Sequence, residues 1–241
     1  PICMQQMRTA SFQPELDGDE RDRVKVPFTW PYRGAEARRR PGERRAKWER
    51  SRYLKHEEFT RAIALALFDY LRKSRSYGFV VSLSGGADSS ATAALVALSM
   101  QLAEAELGVD GFKKKLGHIP AVEHFSDTQS MMSELLLCVY QATKHSSDTT
   151  HNAAKTVADA LAAAFVTLDV EELVAGYTER VEAVLGRPLN WANDDLALQN
   201  IQARVRGPGV WMFANLRNAL LLATSNRSEA AVGYATMDGD T

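Results

Sequence analysis

Phe79-Val80-Val81-Ser82-Leu83-Ser84-Gly85-Gly86-Ala87-Asp88-Ser89-Ser90 is the stretch on which the fold turns. Phe79 to Leu83 is a short apolar run after Gly78 and reads as a buried strand. Two glycines follow, and from Ser89 to Leu107 an alanine-rich segment reads as a long helix. Strand, glycine turn and helix in that order make the βα step of a parallel sheet. Gly85 and Gly86 let the backbone turn tightly, so that its N–H groups approach an anion closely. The helix that follows directs its positive dipole end and unpaired first-turn N–H groups at the same place. Ser84, Ser89 and Ser90 add hydroxyl donors. Asp88 beside a phosphate is unfavourable unless a cation lies between them, and Mg2+ bridging carboxylate and phosphate oxygens removes the conflict.

Outward from this loop the pattern repeats. On the N-terminal side, residues 54–73 are predicted as a helix, with Phe59, Ala62, Ile63, Ala66, Leu67, Tyr70 and Leu71 as its apolar face. On the C-terminal side, strands are predicted at 135–140, 164–168 and 219–224, and helices at 148–163, 171–185 and 197–216. The strand runs do not alternate, which suits strands covered on both faces. The expected architecture is α/β: a doubly wound, mainly parallel sheet with helices on both faces, binding ligands beyond the carboxyl ends of its strands. Residues 108–134 read as an insertion before the second strand.

Residues 1–53 read as irregular, punctuated by prolines at 14, 27, 31 and 41. The basic run from Arg38 to Arg45 reads as a solvated linker, because no aromatic platform accompanies it. The expected organisation is thus a linker or tail at 1–53 and one globular domain at 54–241. A net charge of -1 gives no global attraction to nucleic acid or membrane, and neither is expected as a partner. Cys3 and Cys138 are far apart, which points away from a disulfide scaffold or zinc site and towards a reducing, cytoplasmic compartment. The five histidines show no metal-ligand spacing. No signal peptide is visible, and no apolar run approaches the ~20 residues of a membrane span. Starting at Pro1 and stopping at Thr241, the chain reads as a fragment of something longer.

The loop lacks the Lys-Ser/Thr ending of a Walker A sequence. Instead Ser84-Gly85-Gly86-Ala87-Asp88-Ser89 resembles the SGGxDS loop of the PP-loop ATP pyrophosphatases, whose fold is adenine nucleotide alpha-hydrolase-like. That resemblance implies that the β- and γ-phosphates are held as a leaving pyrophosphate, that ATP is split between α and β, and that AMP passes to a co-substrate.

Three further segments select within the superfamily. Thr224-Ser225-Asn226-Arg227-Ser228-Glu229 followed by Gly233-Tyr234-Ala235-Thr236-Met237-Asp238-Gly239-Asp240 resembles the TxNxSE…GYxTxxGD signature of NAD synthetases. Asn200-Ile201-Gln202-Ala203-Arg204-Val205-Arg206 resembles their NxQAR helix, and Lys144-His145-Ser146-Ser147-Asp148-Thr149-Thr150 their loop after the second strand. The resemblance covers roughly residues 55–241 and is closest to the glutamine-dependent form. It implies ATP-dependent amidation of deamido-NAD to NAD through an acyl-adenylate, releasing AMP and pyrophosphate, with ammonia free or derived from glutamine.

By the match, ATP is held by Ser82, Leu83, Ser84, Gly85, Gly86, Ala87, Asp88, Ser89, Ser90 and Thr224. Deamido-NAD is held by Asn200, Arg204, Glu229, Tyr234, Ala235, Thr236, Met237 and Asp240, and Mg2+ by Asp88 and Glu229. No covalent protein nucleophile is implied. The resemblance also implies a homo-oligomer, a dimer or higher, and an upstream glutaminase domain of which residues 1–53 would be the tail. Two departures stand out: short ammonia-dependent members carry Lys where this chain has Met237, and the chain stops where the family's glycine-rich loop should continue. The alternatives are a PP-loop enzyme acting on RNA, with the arginine run as contact, and a non-catalytic nucleotide-binding module.

Overall fold

The computed structural model describes Pro27, Thr29 and residues 46–224. The chain divides into two units, Pro1–Arg45 and Ala46–Thr241, and the second is described below. The basic run from Arg38 to Arg45 lies outside the described residues.

Four strands form one sheet in the order β3-β2-β1-β4, with every neighbouring pair parallel. They are β1 (Phe79–Ser82), β2 (Leu136–Ala142), β3 (Ala164–Asp169) and β4 (Leu220–Leu222). Between and before them run α1 (Leu54–Ser74), α2 (Ala87–Leu116), α3 (Thr128–Leu135), α4 (Asp148–Ala160), α5 (Glu171–Leu185), α6 (Asp195–Arg204) and α7 (Arg206–Leu216). Alternation along the strands sorts the core into two faces. Phe79, Val81, Cys138 and Tyr140 pack with α2 and α4, while Val80, Leu137 and Val139 pack on Val210 and Ala214 of α7. The doubly wound expectation is met, and β1 and β2 are buried on both faces. β3 and β4 flank them at the edges and are only half-buried or exposed.

Three expectations need correction. The buried stripe of α1 is Ala64, Phe68 and Leu71, while Phe59 and Tyr70 are each 63% exposed. Several sides of α1 carry apolar residues at helical spacing, and contact with Phe112 of α2, 5.9 Å from the Phe68 ring, selects one of them. Residues 108–134, read as an insertion before the second strand, begin as a continuation of α2 and contribute to the core. Gly108 breaks the helix with φ 69° and ψ 167°, a conformation that only glycine adopts readily. The chain then continues helically to Leu116, and Phe112, Leu116, Ile119, Val122, Met131 and Met132 join the main core.

The third correction concerns the helix expected at 197–216, which is two helices meeting at Val205. Pro208 has no N–H for the Arg204 carbonyl, so α6 ends there and Pro208 falls in the first turn of α7, where that N–H is not needed. Boundaries also move: β4 spans three residues, and α4 ends at Ala160, ahead of the left-handed Ala162 at φ 53°. Among the described residues α2 is long and apolar enough to cross a membrane. Its Ala93, Val96, Ala97 and Met100 are nonetheless core residues of this sheet domain.

Candidate functional site

The carboxyl ends of β1 and β2 each lead into a helix N-terminus. After β1, Leu83 stays in register, its N–H donating to the Val139 carbonyl (2.8 Å), and its side chain is fully buried. The turn then closes on itself through serine hydroxyls. The Ser84 N–H donates to Ser89 Oγ (3.3 Å), Ser89 Oγ donates to the Gly86 carbonyl (3.3 Å), and the Gly86 N–H donates to Ser84 Oγ (3.3 Å). Ser89 is buried and spends its hydroxyl on shaping the loop, whereas Ser84 remains exposed. Gly85 has φ 82°, and a Cβ there would lie 2.6 Å from the Thr150 carbonyl oxygen. Glycine is therefore required by backbone conformation and by the close approach of α4.

After β2, the loop 143–147 is fixed from both sides. The Thr143 N–H donates to Ser146 Oγ (2.9 Å), and Ser147 caps α4 in a reciprocal arrangement with Thr150. Tyr140 Oη lies 2.8 Å from Thr150 Oγ1, which ties the first turn of α4 to the sheet. Glu171 at the start of α5 accepts from the Lys144 N–H (3.0 Å) and pairs with its ammonium (3.2 Å). These contacts, the backbone donor foremost, hold the Glu171 carboxyl below the usual range.

A cleft of about 390 Å³ opens between these two loops and the α6–α7 junction. Ser82, Ser84 and Thr224 line it, as do His145 and Ser146. Ala203 and Arg206 line it from the α6–α7 junction. Gln141 reaches in beneath them: its Nε2 donates to Ser82 Oγ (2.9 Å), while Oε1 is buried with no partner among the described residues. Such an orphaned buried acceptor calls for a donor from water or ligand. The helix N-termini after β1 and β2 and the Arg206 guanidinium suit phosphate groups, and Gln141 Oε1 suits a donor.

Of the residues read from sequence, Ser82, Ser84 and Thr224 meet in this cleft, and Gly85, Gly86, Ala87, Asp88 and Ser90 form the adjoining turn and first turn of α2. Leu83 contributes only backbone, since its side chain is core. Asp88 is exposed at the second position of α2. Asn200 and Arg204 are exposed on α6 and do not line the cleft. Glu229, Tyr234, Ala235, Thr236, Met237 and Asp240 lie outside the described residues. Sequence reading missed Gln141 and gave no role to Arg206, the last residue of the NxQAR-like segment; a polar residue inside the apolar run 136–142 was the available signal for the first. Cys138 is buried, which pushes its thiol up to about 12 and removes it as a nucleophile. Among the described residues no group of three or more His, Cys, Asp or Glu is placed to hold a metal.

Comparison with known proteins gives concordant results. The family model described as NAD synthase matches residues 59–241. The chain is 33% identical over 189 residues to a glutamine-dependent NAD(+) synthetase of Oryza sativa subsp. indica, covering 70% of this chain and 26% of that protein. It is 31% identical over 199 residues to the human protein of the same description, covering 75% and 28%. A crystal structure of a glutamine-dependent NAD(+) synthetase from Cytophaga hutchinsonii superposes with a TM-score of 0.72 at 47% identity, over 77% of this chain and 33% of that one. The chain thus spans about a quarter to a third of the length of these relatives.

Proposed function

The chain belongs to the NAD synthase family, and on that premise we propose that it carries the ATP-dependent step that amidates deamido-NAD to NAD. The observation that carries this reading is the self-closed serine–glycine turn at the N-terminus of α2, opening on a cleft with Thr224 at the end of β4. The Ser84 hydroxyl and the first-turn N–H groups of α2 hold the β- and γ-phosphates as they become pyrophosphate. A carboxylate oxygen of deamido-NAD attacks the α-phosphorus, the bond to the bridging oxygen breaks, and pyrophosphate leaves with the electron pair. Ammonia then attacks the acyl carbon, AMP leaves, and one proton passes to solvent. The protein contributes position and fixed charge.

Asp88 suits Mg2+. Its exposed carboxylate stands beside the turn, and Mg2+ commonly combines one or two carboxylates with phosphate oxygens instead of a full protein cage. When bound, the ion neutralises charge on the departing pyrophosphate. Glu229 supplies the second carboxylate in this reading. Asn200, Arg204, Glu229, Tyr234, Ala235, Thr236, Met237 and Asp240 hold deamido-NAD, which approaches from the exposed side of α6. Leu173, Tyr177, Val181 and Leu185 are exposed along one side of α5, which supports a homo-oligomer.

The test is NAD and AMP formation from deamido-NAD, ATP, Mg2+ and ammonium chloride by the full-length protein containing this chain. Asp88→Ala is expected to lower turnover by about 100-fold or more while the fold is retained, as for removal of a group that stabilises transition-state charge. Undiminished turnover in that variant would remove Asp88 from the reaction, and absence of NAD from the unaltered protein would remove the reaction itself.

A further inference from the structure

Among the described residues Arg206 has no counter-charge. It is the first residue of α7, half-buried, and lines the cleft with Ser84 and Thr224. Its Nη1 donates to the Gln202 carbonyl (3.2 Å), one turn back. Among the described residues no carboxylate lies within 4.0 Å of its guanidinium, and no carboxylate lines the cleft. Burial pulls its pKa down from the usual arginine value, so the surroundings disfavour a charge that arginine nevertheless keeps at neutral pH. A cation held in this way finds its partner in a ligand anion.

The position narrows which anion. Gly85 to Ser89 do not line the cleft, so the donors proposed for pyrophosphate lie beyond its edge at Ser84. Arg206 lines the cleft itself, with Ser82, Ser84 and Thr224. We propose that Arg206 is the contact for the α-phosphoryl group of ATP, and that it keeps hold of the same phosphorus in the acyl-adenylate and in AMP. This rests on the ATP-dependent reading above. Arg206 exchanges no proton in either step; it balances the charge on the non-bridging α-oxygens while the pyrophosphate bond breaks and the carboxylate bond forms, and again while AMP departs.

Calorimetric titration of the chain with ATP, AMP and pyrophosphate in Mg2+ buffer, comparing wild type with Arg206→Lys and Arg206→Gln, tests the assignment. Arg206→Gln is expected to weaken ATP and AMP by about ten- to hundredfold and leave pyrophosphate within about twofold, with Arg206→Lys intermediate. Melting curves establish that each variant is folded, and Arg206→Lys serves if the glutamine variant is not. If wild type binds ATP and a folded variant binds ATP and AMP equally well, or loses pyrophosphate to the same degree, the assignment is overturned and the ATP reading stands. Wild type that binds no ATP overturns both.

Discussion

Gly85 shows how much one position can demand. With φ 82° and the Thr150 carbonyl 2.6 Å from where a Cβ would stand, alanine must strain the turn or push α4 away. Gly85→Ala is expected to destabilise the domain by about 2 kcal/mol and weaken ATP by at least about tenfold, read by thermal melting and titration. The sequence announces this residue, because two glycines between a strand and a helix have few other uses. It announces Ser89 less well: a serine in a phosphate loop looks like a ligand donor, yet its hydroxyl is turned inward onto Ser84 and Gly86. It points to Arg204 and passes over Arg206, because the choice depends on where Pro208 divides the helix and how that division rotates each side chain. Gln141 is harder still, since its importance lies in a buried acceptor left unpaired, which only the packed neighbours reveal.

Elements were legible where the pattern is strong on its own terms. The strand, turn and helix at the loop, and α5 from Glu171 to Leu185, form as their periodicity predicts. Elements that depend on tertiary contact were not: the segment after Gly108 looks polar and irregular, but its apolar residues close the core beneath α1. Phe112 is 2% exposed there, and Phe112→Ala is expected to cost about 3–5 kcal/mol in urea unfolding, where a peripheral insertion would give a fraction of that. The loop between α5 and α6 is held differently. Asp194 receives a two-point contact from Arg187 (2.8 Å each) and the Asn190 N–H (3.0 Å). The Arg187 guanidinium foremost lowers the Asp194 carboxyl from 3.8 to about 2. A depressed carboxyl contributes stability that is complete above its unfolded value and lost as pH falls through its folded one. The contact should therefore persist down to about pH 3.8 and vanish through about pH 2. An NMR titration of the carboxyl carbons is expected to show that Arg187→Gln moves this transition back towards 3.8; an unmoved midpoint would mean that Arg187 is not its cause.

At the scale of the molecule, a near-neutral chain concentrates its purpose in one place. Net charge is -1, yet among the described residues the cleft at the carboxyl end of the sheet is lined by no carboxylate and holds a guanidinium, an imidazole and several hydroxyls. A polyanion is drawn to such a site without any global basic character. Among the described motifs, the turn after β1, the loop after β2 and Thr224 after β4 sit at the carboxyl ends of strands, where a doubly wound sheet binds its ligands. What the bound polyanion undergoes is the central claim, and the position of bond cleavage tests it most directly. Phosphorus NMR of the full-length protein turning over ATP with deamido-NAD and ammonium should show AMP and pyrophosphate appearing together, in step with NAD. ADP and orthophosphate in their place, or nucleotide cleavage that does not require deamido-NAD, would contradict it.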